Sequence, residues 1–529
     1  MTLPVPPIPV PPMKWDAWGD PALAQPLSDS IRGLLQNALG VSADDVDAPT
    51  RGEVQLRPSA LSDADRDALA AITELSTADA DRLRRAGGKS TLDLLRRKSR
   101  EPQDAPDGVV LPGNEDEITA VLRICSERGI AVVPFGGGTS VVGGLDPVRA
   151  GHAAVVSLDL RRFDAFALDE TSEVATLGAG LSGPRAEELL AQRGYELGHY
   201  PQSFRFATIG GFAATRSSGQ DSAGYGRFDE MVTGLRVVTP AGVLDVGRAP
   251  ASAAGPDLRQ LFLGSEGTLG VITAVRVRVH PAPEAKAYEA WTFADFATGA
   301  AALRAVVQRG TGPTVIRLSD EAETGVNLAL TTQIGAAPPA GGCLAITVFE
   351  GPAAQVQARR DVTRALLDRT GTSLGPDAAQ AWEHGRFDAP YLRDALLANG
   401  ALCETLETAT SWTNLETLKT AVTAALQEQL GPSLVMCHVS HLYQTGASLY
   451  FTVVAALGGD PIARWQAAKR AAGDAIMANG GTITHHHAVG TDHRPWLTQE
   501  VGELGVQILR AVKATVDPAG ILNPGKLIP

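Results

Sequence analysis

The sequence predicts an α+β protein built from several packed units, and three observations support this. Short runs rich in Val and Ile alternate with stretches whose apolar residues recur at helical spacing. The chain has 529 residues, which exceeds the size at which one hydrophobic core stops growing, so two or three units are expected. Its composition, with 44% hydrophobic and 20% charged residues, is that of an ordinary globular protein.

The net charge and the hydropathy pattern exclude two classes of protein. The formal net charge of −13 argues against nucleic-acid binding, which requires a clustered basic surface. A membrane span needs about 18 consecutive apolar residues, and the sequence has no such stretch. The 4 cysteines lie far apart without CxxC spacing, so we expect free thiols in a reducing compartment. Together with the Ala- and Arg-rich usage, this predicts a bacterial, cytoplasmic protein.

Residues 1–101 are predicted to form an amino-terminal helical region that begins with a proline-rich arm. The arm, at positions 1–12, lacks the uninterrupted apolar core of a signal peptide. Basic residues crowd together between Arg82 and Arg100. We expect them to cover a solvated helix face, with contact to anionic lipid as the alternative.

Residues 102–282 are predicted to form the first α+β domain. Asn114 can cap a helix that Gly129 ends. Strands are then expected at 130–134, 154–158 and 174–177, a helix at 183–192, a hairpin at 235–246 and a long strand at 269–279.

Residues 283–494 are predicted to form a second α+β domain, the cap. Helices are expected at 300–308, after 414 and at 463–478, and strands at 315–318, 344–349 and 449–456. Residues 495–529 are expected to form a helix and a tight turn that return to the first domain.

The strongest local signal is the segment Pro134–Gly144, which reads PFGGGTSVVGG. Its glycines permit positive φ and close approach of a ligand, and exposed amides in such a loop favour a pyrophosphate. The segment lacks the lysine of a Walker A loop and does not open a helix with Gly-x-Gly-x-x-Gly spacing. Neither common phosphate loop therefore fits, and a structural turn is the alternative.

Two later segments favour a large polar cofactor. Pro201–Gly219 supplies hydroxyl groups, a guanidinium and close-approach glycines, and Gly264–Gly270 precedes the long strand. In order, the motifs PFGGGTS, TIGG, TRSSG and GSEGTLGVIT resemble the FAD-binding domain of the vanillyl-alcohol oxidase/p-cresol methylhydroxylase family. The resemblance implies a two-subdomain FAD-binding domain of that type. The loop has no His or Cys, so non-covalent FAD is expected.

By this resemblance, the FAD site uses glycines and polar residues from all the motifs, with the pyrophosphate on Gly136 to Ser140. The implied residues are Pro134, Phe135, Gly136, Gly137, Gly138, Thr139, Ser140, Gln202, Ser203, Thr208, Gly210, Gly211, Thr215, Arg216, Ser217, Ser218, Glu266, Gly267, Thr268, Gly270, Val271 and Ile272.

Motifs outside this domain resemble one branch of the family, the alkyldihydroxyacetonephosphate synthases. They include MKWDAWG at Met13–Gly19, YLRD at Tyr391–Asp394 and THHHAVG at Thr484–Gly490. By resemblance, the reaction exchanges the acyl group of acyl-dihydroxyacetone phosphate for a fatty alcohol, through an adduct at flavin N5, and yields an ether-lipid precursor. The alternative is an FAD-dependent dehydrogenase or oxidase of a 2-hydroxy acid or alcohol.

Tyr450 is the base that the resemblance implies. A tyrosine has a pKa of about 10, so this role requires positive charge or donors that favour the phenolate. His485, His486 and His487 can supply them, and in an extended segment His485 and His487 face one way and His486 the other. Surface histidines or an incidental metal site are the alternatives.

Arg393 and Arg317 are candidates for the substrate phosphate, because a guanidinium binds phosphate through two N–H groups and keeps its charge when buried. Either could instead be an ordinary ion-pair residue. His199 is expected near the flavin, with the catalytic residues. A lipid-like substrate implies an apolar channel and peripheral contact with a membrane surface, and we also expect a homodimer.

One segment departs from the resembled pattern. His438 and His441, in CHVSH, stand where the alkyldihydroxyacetonephosphate synthases have Arg and Gln. FAD-linked 2-hydroxyacid dehydrogenases carry a metal motif here, but Tyr450 replaces its second histidine and His486 its glutamate. We therefore predict no metal, with zinc on His438, His441 and His486 as the alternative.

Overall fold

The computed structural model describes residues 13–24, 26–41, 53–310, 312–330 and 342–529. The proline-rich arm at 1–12 lies outside these ranges. Among the described residues, every helix is too short or too polar to cross a lipid bilayer.

The amino-terminal region packs short helices against the edge of a sheet. Its elements are α1 (Asp29–Leu39), α2 (Asp63–Ala70), β1 (Glu74–Ser76), α3 (Asp79–Arg84) and α4 (Thr91–Arg97). Helices α2 and α4 both begin in capping boxes, in which a serine and an aspartate three residues later satisfy each other's backbone amides. These local signals account for where the two helices start.

Four of the eight basic residues between positions 82 and 100 are buried, so the prediction of a solvated helix face was wrong for these four. The side chains that are 3–5% exposed are Arg82, Arg85, Lys89 and Arg97. Arg85 forms an ion pair of 2.6 Å with the buried carboxylate of Asp159, and Lys89 Nζ donates to the carbonyl oxygen of Trp15 at 3.3 Å. Burial of Arg85 and Lys89 is tolerated because fixed acceptors satisfy their donor groups.

The first α+β domain begins with a small, largely parallel sheet. Its elements are β2 (Gly108–Leu111), α5 (Glu115–Arg128), β3 (Ile130–Phe135) and β4 (Ala154–Asp159). The strand order is β1-β2-β4-β3, and β2 and β3 both run parallel to β4. Asn114 caps α5 and Gly129 ends it at φ 64°, as predicted. Strand β3 leads directly into the glycine loop.

A second, antiparallel sheet of order β5-β6-β10-β8-β9 completes this domain. Its elements are β5 (Phe166–Asp169), β6 (Val174–Gly178), α6 (Gly183–Ala191), β7 (Tyr195–Glu196), α7 (Ile209–Thr215), α8 (Ser222–Tyr225), α9 (Phe228–Met231), β8 (Val232–Thr239), β9 (Gly242–Val246), α10 (Arg259–Phe262), β10 (Val271–Arg278) and β11 (His280–Pro281). Val275 and Val277 on β10 are fully buried and anchor its core.

The cap is a larger antiparallel sheet, of order β15-β12-β14-β13-β17-β18-β16, covered by helices. Its elements are β12 (Ala285–Phe293), α11 (Phe296–Gln308), β13 (Val315–Ser319), α12 (Glu321–Leu330), β14 (Cys343–Gly351), α13 (Ala353–Leu367), β15 (Thr372–Gly375), α14 (Asp377–Gly385), α15 (Ala389–Ala398), β16 (Ala401–Ser411), α16 (Leu415–Leu430), β17 (Ser433–Val439), β18 (Gly446–Ala456) and α17 (Pro461–Ala478). The predicted α+β class is confirmed.

The carboxyl-terminal segment, after α18 (Leu497–Val516), lies against the first domain. Val132 donates its amide to Ile521 and accepts from the amide of Asn523, each at 2.8 Å. The side-chain amide of Asn523 also donates to the carbonyl oxygens of Gly144 at 3.0 Å and Glu266 at 2.6 Å. The last residues therefore tie the glycine loop to the segment that precedes β10.

Candidate active site

A cavity of about 880 Å³ lies between the first domain and the cap sheet. Two surfaces enclose most of it. The glycine wall comprises the cavity-lining residues of the ranges 134–141, 201–220 and 266–272. The cap wall comprises Arg317, Glu323, His438, His441, Tyr450, His486 and His487. Such a volume is at the upper end of the range for ligand pockets, so it can hold a large cofactor.

The glycine wall fits a flavin dinucleotide. A Cβ at Gly137 would lie 2.0 Å from the carbonyl oxygen of Phe206, so only glycine allows the loop to pack this closely. Gln202 Nε2 and Gln220 Oε1 are buried without a hydrogen-bond partner among the described residues, and both side chains line the cavity. These polar groups would be satisfied by a polar cofactor.

Most of the residues implied for FAD line the cavity, but three do not. The exceptions are Arg216, Thr268 and Val271. The Arg216 guanidinium donates to the carbonyl oxygen of Leu263 at 3.0 Å and pairs with Asp229 at 2.9 Å. Arg216 thus connects the segment around Leu263 to Asp229 and does not contact the cavity.

Glu266 joins the two walls. Its carboxylate accepts from the amides of Val489 at 3.1 Å and Gly490 at 2.9 Å, just after the three histidines. Complete burial raises its pKa to about 7, although these two amides oppose the shift. The GSEGTLG motif therefore positions the histidine segment as well as the cofactor site.

Sheet register aligns the polar side chains of the cap wall. Tyr450 on β18 is paired with His438 on β17 and with Glu407 on β16. The rings of Tyr450 and His438 stack with their centroids 4.8 Å apart. Arg317, on the next strand, brings its guanidinium to 2.9 Å from His438 Nδ1.

Glu323 neutralises the positive charge of Arg317. Its carboxylate lies 3.0 Å from His438 Nδ1 and pairs with Arg317. Burial alone would raise the pKa of Glu323, but His438 and Arg317 hold it at about 2. The carboxylate is therefore ionised at neutral pH.

The three histidines do not provide the positive charge that a Tyr450 phenolate was expected to need, and the charge of Arg317 does not outweigh the effect of burial. Burial raises the pKa of Tyr450 to about 12, so the phenol is protonated. Burial also lowers the pKa of His486, and that of His487 to about 3, so both imidazoles are neutral. At neutral pH the Tyr450 hydroxyl can therefore donate a hydrogen bond, and each of the two imidazoles has one ring nitrogen that can accept one.

The histidine segment is not an extended strand, so the alternation expected of an extended segment does not apply. The Glu407 carboxylate accepts from the amides of His485 at 2.7 Å, His486 at 3.2 Å and His487 at 2.9 Å, which curls the segment. His486 and His487 consequently both line the cavity. His485 lies behind them, with Nε2 at 2.6 Å from the Tyr443 hydroxyl.

The two predicted phosphate-binding arginines reach the cavity, and both already have partners. Arg393 donates to the carbonyl oxygen of Lys89 at 2.6 Å and pairs with Asp394 at 2.9 Å. Arg317 pairs with Glu323. Each is thus both a cavity residue and an ion-pair residue.

His199 does not line the cavity. It is 1% exposed, and its ring contacts those of Phe212 and Phe228 at centroid distances of 4.7 and 4.9 Å. Its Nε2 lies 3.1 Å from Ser217 Oγ, and burial lowers its pKa to about 3. His199 therefore supports the cavity-lining Ser217 instead of facing a ligand.

Sequence reasoning missed several residues of the site, among them Glu323, Glu407 and Arg386. Glu407 is 1% exposed on β16, a strand that also carries Glu404 and three threonines, so no local pattern set it apart. Arg386 lines the cavity, with its guanidinium 4.7 Å from the Tyr200 ring centroid and 3.0 Å from Asp221. No local motif marked Arg386, because its partners come from distant segments.

Two family models match the chain. The model described as FAD binding domain covers residues 106–247, and the one described as FAD linked oxidases, C-terminal domain, covers residues 282–527. The fold is also similar to p-cresol methylhydroxylase, with a TM-score of 0.67 at 15% identity over 89% of this chain and 98% of that one. The predicted domain type and the FAD cofactor are confirmed, and the protein is an FAD-dependent enzyme.

Curated relatives are more specific. Alkyldihydroxyacetonephosphate synthase from Dictyostelium discoideum is 34% identical over 84% of this chain and 76% of its own length. The enzyme of that name from Trypanosoma brucei brucei is 30% identical over 98% and 92%. A solved alkyldihydroxyacetonephosphate synthase superposes with a TM-score of 0.83, at 29% identity over 98% of this chain and 99% of that one. The chain belongs to the alkyldihydroxyacetonephosphate synthase family of FAD-binding enzymes.

Proposed function

We propose that the protein exchanges the acyl group of an acyl-dihydroxyacetone phosphate for a long-chain alcohol, producing an ether-lipid precursor. The ester C–O bond on the dihydroxyacetone side breaks, and the carboxylate leaves with both of its oxygens. The alcohol oxygen takes its place on the same carbon, and its proton is released. The exchange involves no net oxidation or reduction.

The observation that carries this proposal is one cavity with a cofactor wall on one side and, on the other, a wall that presents a guanidinium, imidazoles and the Tyr450 phenol. Arg317 and Arg393 both reach the cavity, where guanidinium groups suit a phosphate monoester. The pairing of Arg317 with Glu323 holds the guanidinium in place before substrate binds. A phosphate would then share Arg317 with that carboxylate.

Tyr450, His486 and His487 are the residues of the cap wall that can transfer the proton. A C–H next to a ketone can be removed by a positioned base, and FAD, when bound, supplies an electron-poor ring that supports carbon chemistry at that position. The Tyr450 phenol can act as a base only after passing its own proton to an acceptor. The neutral imidazoles of His486 and His487 line the same cavity, and buried Glu407 stabilises either one once it is charged.

Anaerobic mixing tests the reaction class. The FAD-loaded protein is given acyl-dihydroxyacetone phosphate and a long-chain alcohol labelled with ¹⁸O, and the flavin spectrum is followed. We expect one fatty acid released per ether formed, the label in the ether, and an oxidised flavin at the end. Lasting bleaching of the flavin by a 2-hydroxy acid, without fatty acid release, would instead identify an oxidoreductase.

We also infer that the enzyme is a cytoplasmic homodimer of bacterial origin that contacts membrane surfaces peripherally. A lipid-like substrate supports the membrane contact, and the net charge of −13 makes apolar contacts more important than attraction to anionic headgroups. Co-sedimentation with neutral and anionic vesicles tests the membrane contact, and light scattering of the purified protein tests the dimer. A monomer that binds neither kind of vesicle would contradict both inferences.

A further inference from the structure

Three histidines converge on the cap wall, beside Tyr450. His441, His485 and His486 each present a ring nitrogen to a common space, and these nitrogens all lie within 4.8 Å of one another. His441 is 4% exposed and His485 is 7% exposed. Grouping three imidazoles away from solvent is costly unless a partner satisfies their nitrogens.

Hydroxyl groups occupy the outer nitrogens of two of these rings. His441 Nδ1 lies 2.7 Å from Ser222 Oγ and 3.2 Å from Ser218 Oγ. His485 Nε2 lies 2.6 Å from the Tyr443 hydroxyl. A metal-bound histidine ordinarily donates its second ring N–H to such an outer partner, which fixes the tautomer and the ring orientation. His441 Nε2 and His485 Nδ1 then remain as ligand atoms.

The His486 ring already lies close enough to His485 for both to bind one ion. His485 Nδ1 and His486 Nδ1 lie 2.9 Å apart and share a hydrogen bond, which a bound ion would replace. Two nitrogens bound to one zinc ion at about 2.0–2.1 Å are about 2.9 Å apart at a right angle and about 3.4 Å apart in a tetrahedron. The three nitrogens lie up to 4.8 Å apart, which exceeds the separation of about 2.9–3.4 Å between bound ligands. The imidazoles must therefore move closer together to bind one ion.

The charge balance also favours a cation. The Glu407 carboxylate lies 3.5 Å from His486 Nδ1. A buried carboxylate thus stands next to the three imidazoles, where it would balance the charge of a bound cation.

We propose that His441, His485 and His486 bind one divalent transition-metal ion, with Zn²⁺ the best match to three imidazole nitrogens. Three protein ligands leave a fourth position open. His441 and His486 line the cavity, so this position is available to water or to an oxygen atom of the ligand in the cavity. The ligand set differs from the zinc alternative predicted from the sequence, because His438 is held by Arg317 and Glu323.

Equilibrium dialysis tests the proposal. The full-length, FAD-loaded protein is stripped with a chelator and dialysed against Zn²⁺, and bound zinc and flavin are measured per chain. We expect one ion per chain and X-ray absorption showing imidazole nitrogens at about 2.0 Å. His441→Gln and His486→Gln should each weaken binding by at least about 100-fold while retaining FAD.

Two further variants keep the test decisive if a ligand variant fails to fold. Ser222→Ala removes only an outer partner and should weaken zinc binding by about 10–100-fold. His438→Gln, the matched control, changes a buried histidine of the same wall and should leave zinc binding unchanged. No retained ion, an ion held equally by all variants, or an ion lost only in His438→Gln would each overturn the proposal.

Discussion

The glycine wall and the cap wall enclose the same cavity but are built in different ways. The glycine wall comes from a few continuous, glycine-rich segments, such as Pro134–Ser140, in which the backbone packs closely. The cap wall consists of side chains far apart in sequence, such as Arg317, His438 and Tyr450, aligned by strand register. A surface made of backbone depends on local glycine spacing, whereas a surface made of side chains depends on the whole sheet.

The two walls should therefore respond differently to substitution. At the glycine wall, an added side chain collides with fixed backbone. At the cap wall, buried charges and imidazoles hold each other in defined protonation states, so a substitution changes chemistry before it changes shape.

Gly137→Val should have the largest effect. A Cβ at this position meets the Phe206 carbonyl oxygen at 2.0 Å, so the loop must move and FAD binding should be lost. Flavin absorbance per purified chain measures this. Gly113→Ala is the control, because its Cβ would meet nothing closer than 3.9 Å, and it should keep full flavin content. Flavin retained by Gly137→Val would refute the backbone account of this wall.

Tyr450→Phe should keep FAD but lower the exchange rate by about 10²–10⁴-fold, the usual contribution of a positioned acid or base. Fatty acid release measures the rate. Because burial raises the pKa of Tyr450 to about 12, the wild-type rate should rise with pH up to the limit of protein stability if the phenolate is the active form. Tyr288→Phe, on the same sheet but outside the cavity, should change the rate less than twofold. Equal rates for Tyr450→Phe and wild type would eliminate Tyr450 as the base.

Glu407→Gln should lower the free energy of unfolding by about 2–4 kcal/mol, because three backbone amides and the histidines lose a buried carboxylate. The pKa of Glu407 is held well below its usual value by the neighbouring histidines, although burial opposes this. Its contribution is therefore complete above the unfolded pKa of about 4.3 and disappears as the pH falls through the lower folded value. Urea unfolding should give the same difference from wild type at pH 6 and pH 8, and a difference that shrinks between these values would contradict the assignment.

Glu266→Gln should have the smallest effect and the opposite pH dependence. Burial raises the pKa of Glu266 to about 7, so between pH 4.5 and 7 the folded protein holds a proton that the unfolded chain has lost. Stability from this group falls as the pH rises through that window. Relative to Glu266→Gln, wild type should lose about 1–3 kcal/mol across it. Parallel stability curves for the two proteins would show that Glu266 is ionised throughout.

The same contrast explains what the sequence could predict. The helix after Asn114 and the glycine loop depend on capping and on backbone spacing, which are local signals. The burial of Arg85 could not be predicted, because its partner Asp159 lies 74 positions away. The curl of the histidine segment depends on Glu407, 78 positions from His485. Which imidazoles converge likewise depends on contacts that no local pattern contains.

The attachment of Asn523 to the glycine loop has a consequence for biosynthesis. Its side chain bonds to the carbonyl oxygens of Gly144 and Glu266, and its amide bonds to Val132 at the base of the loop. Asn523 is 379 positions from Gly144 in the chain. The glycine loop can therefore reach its final setting only after residue 523 has been synthesised, long after the loop itself.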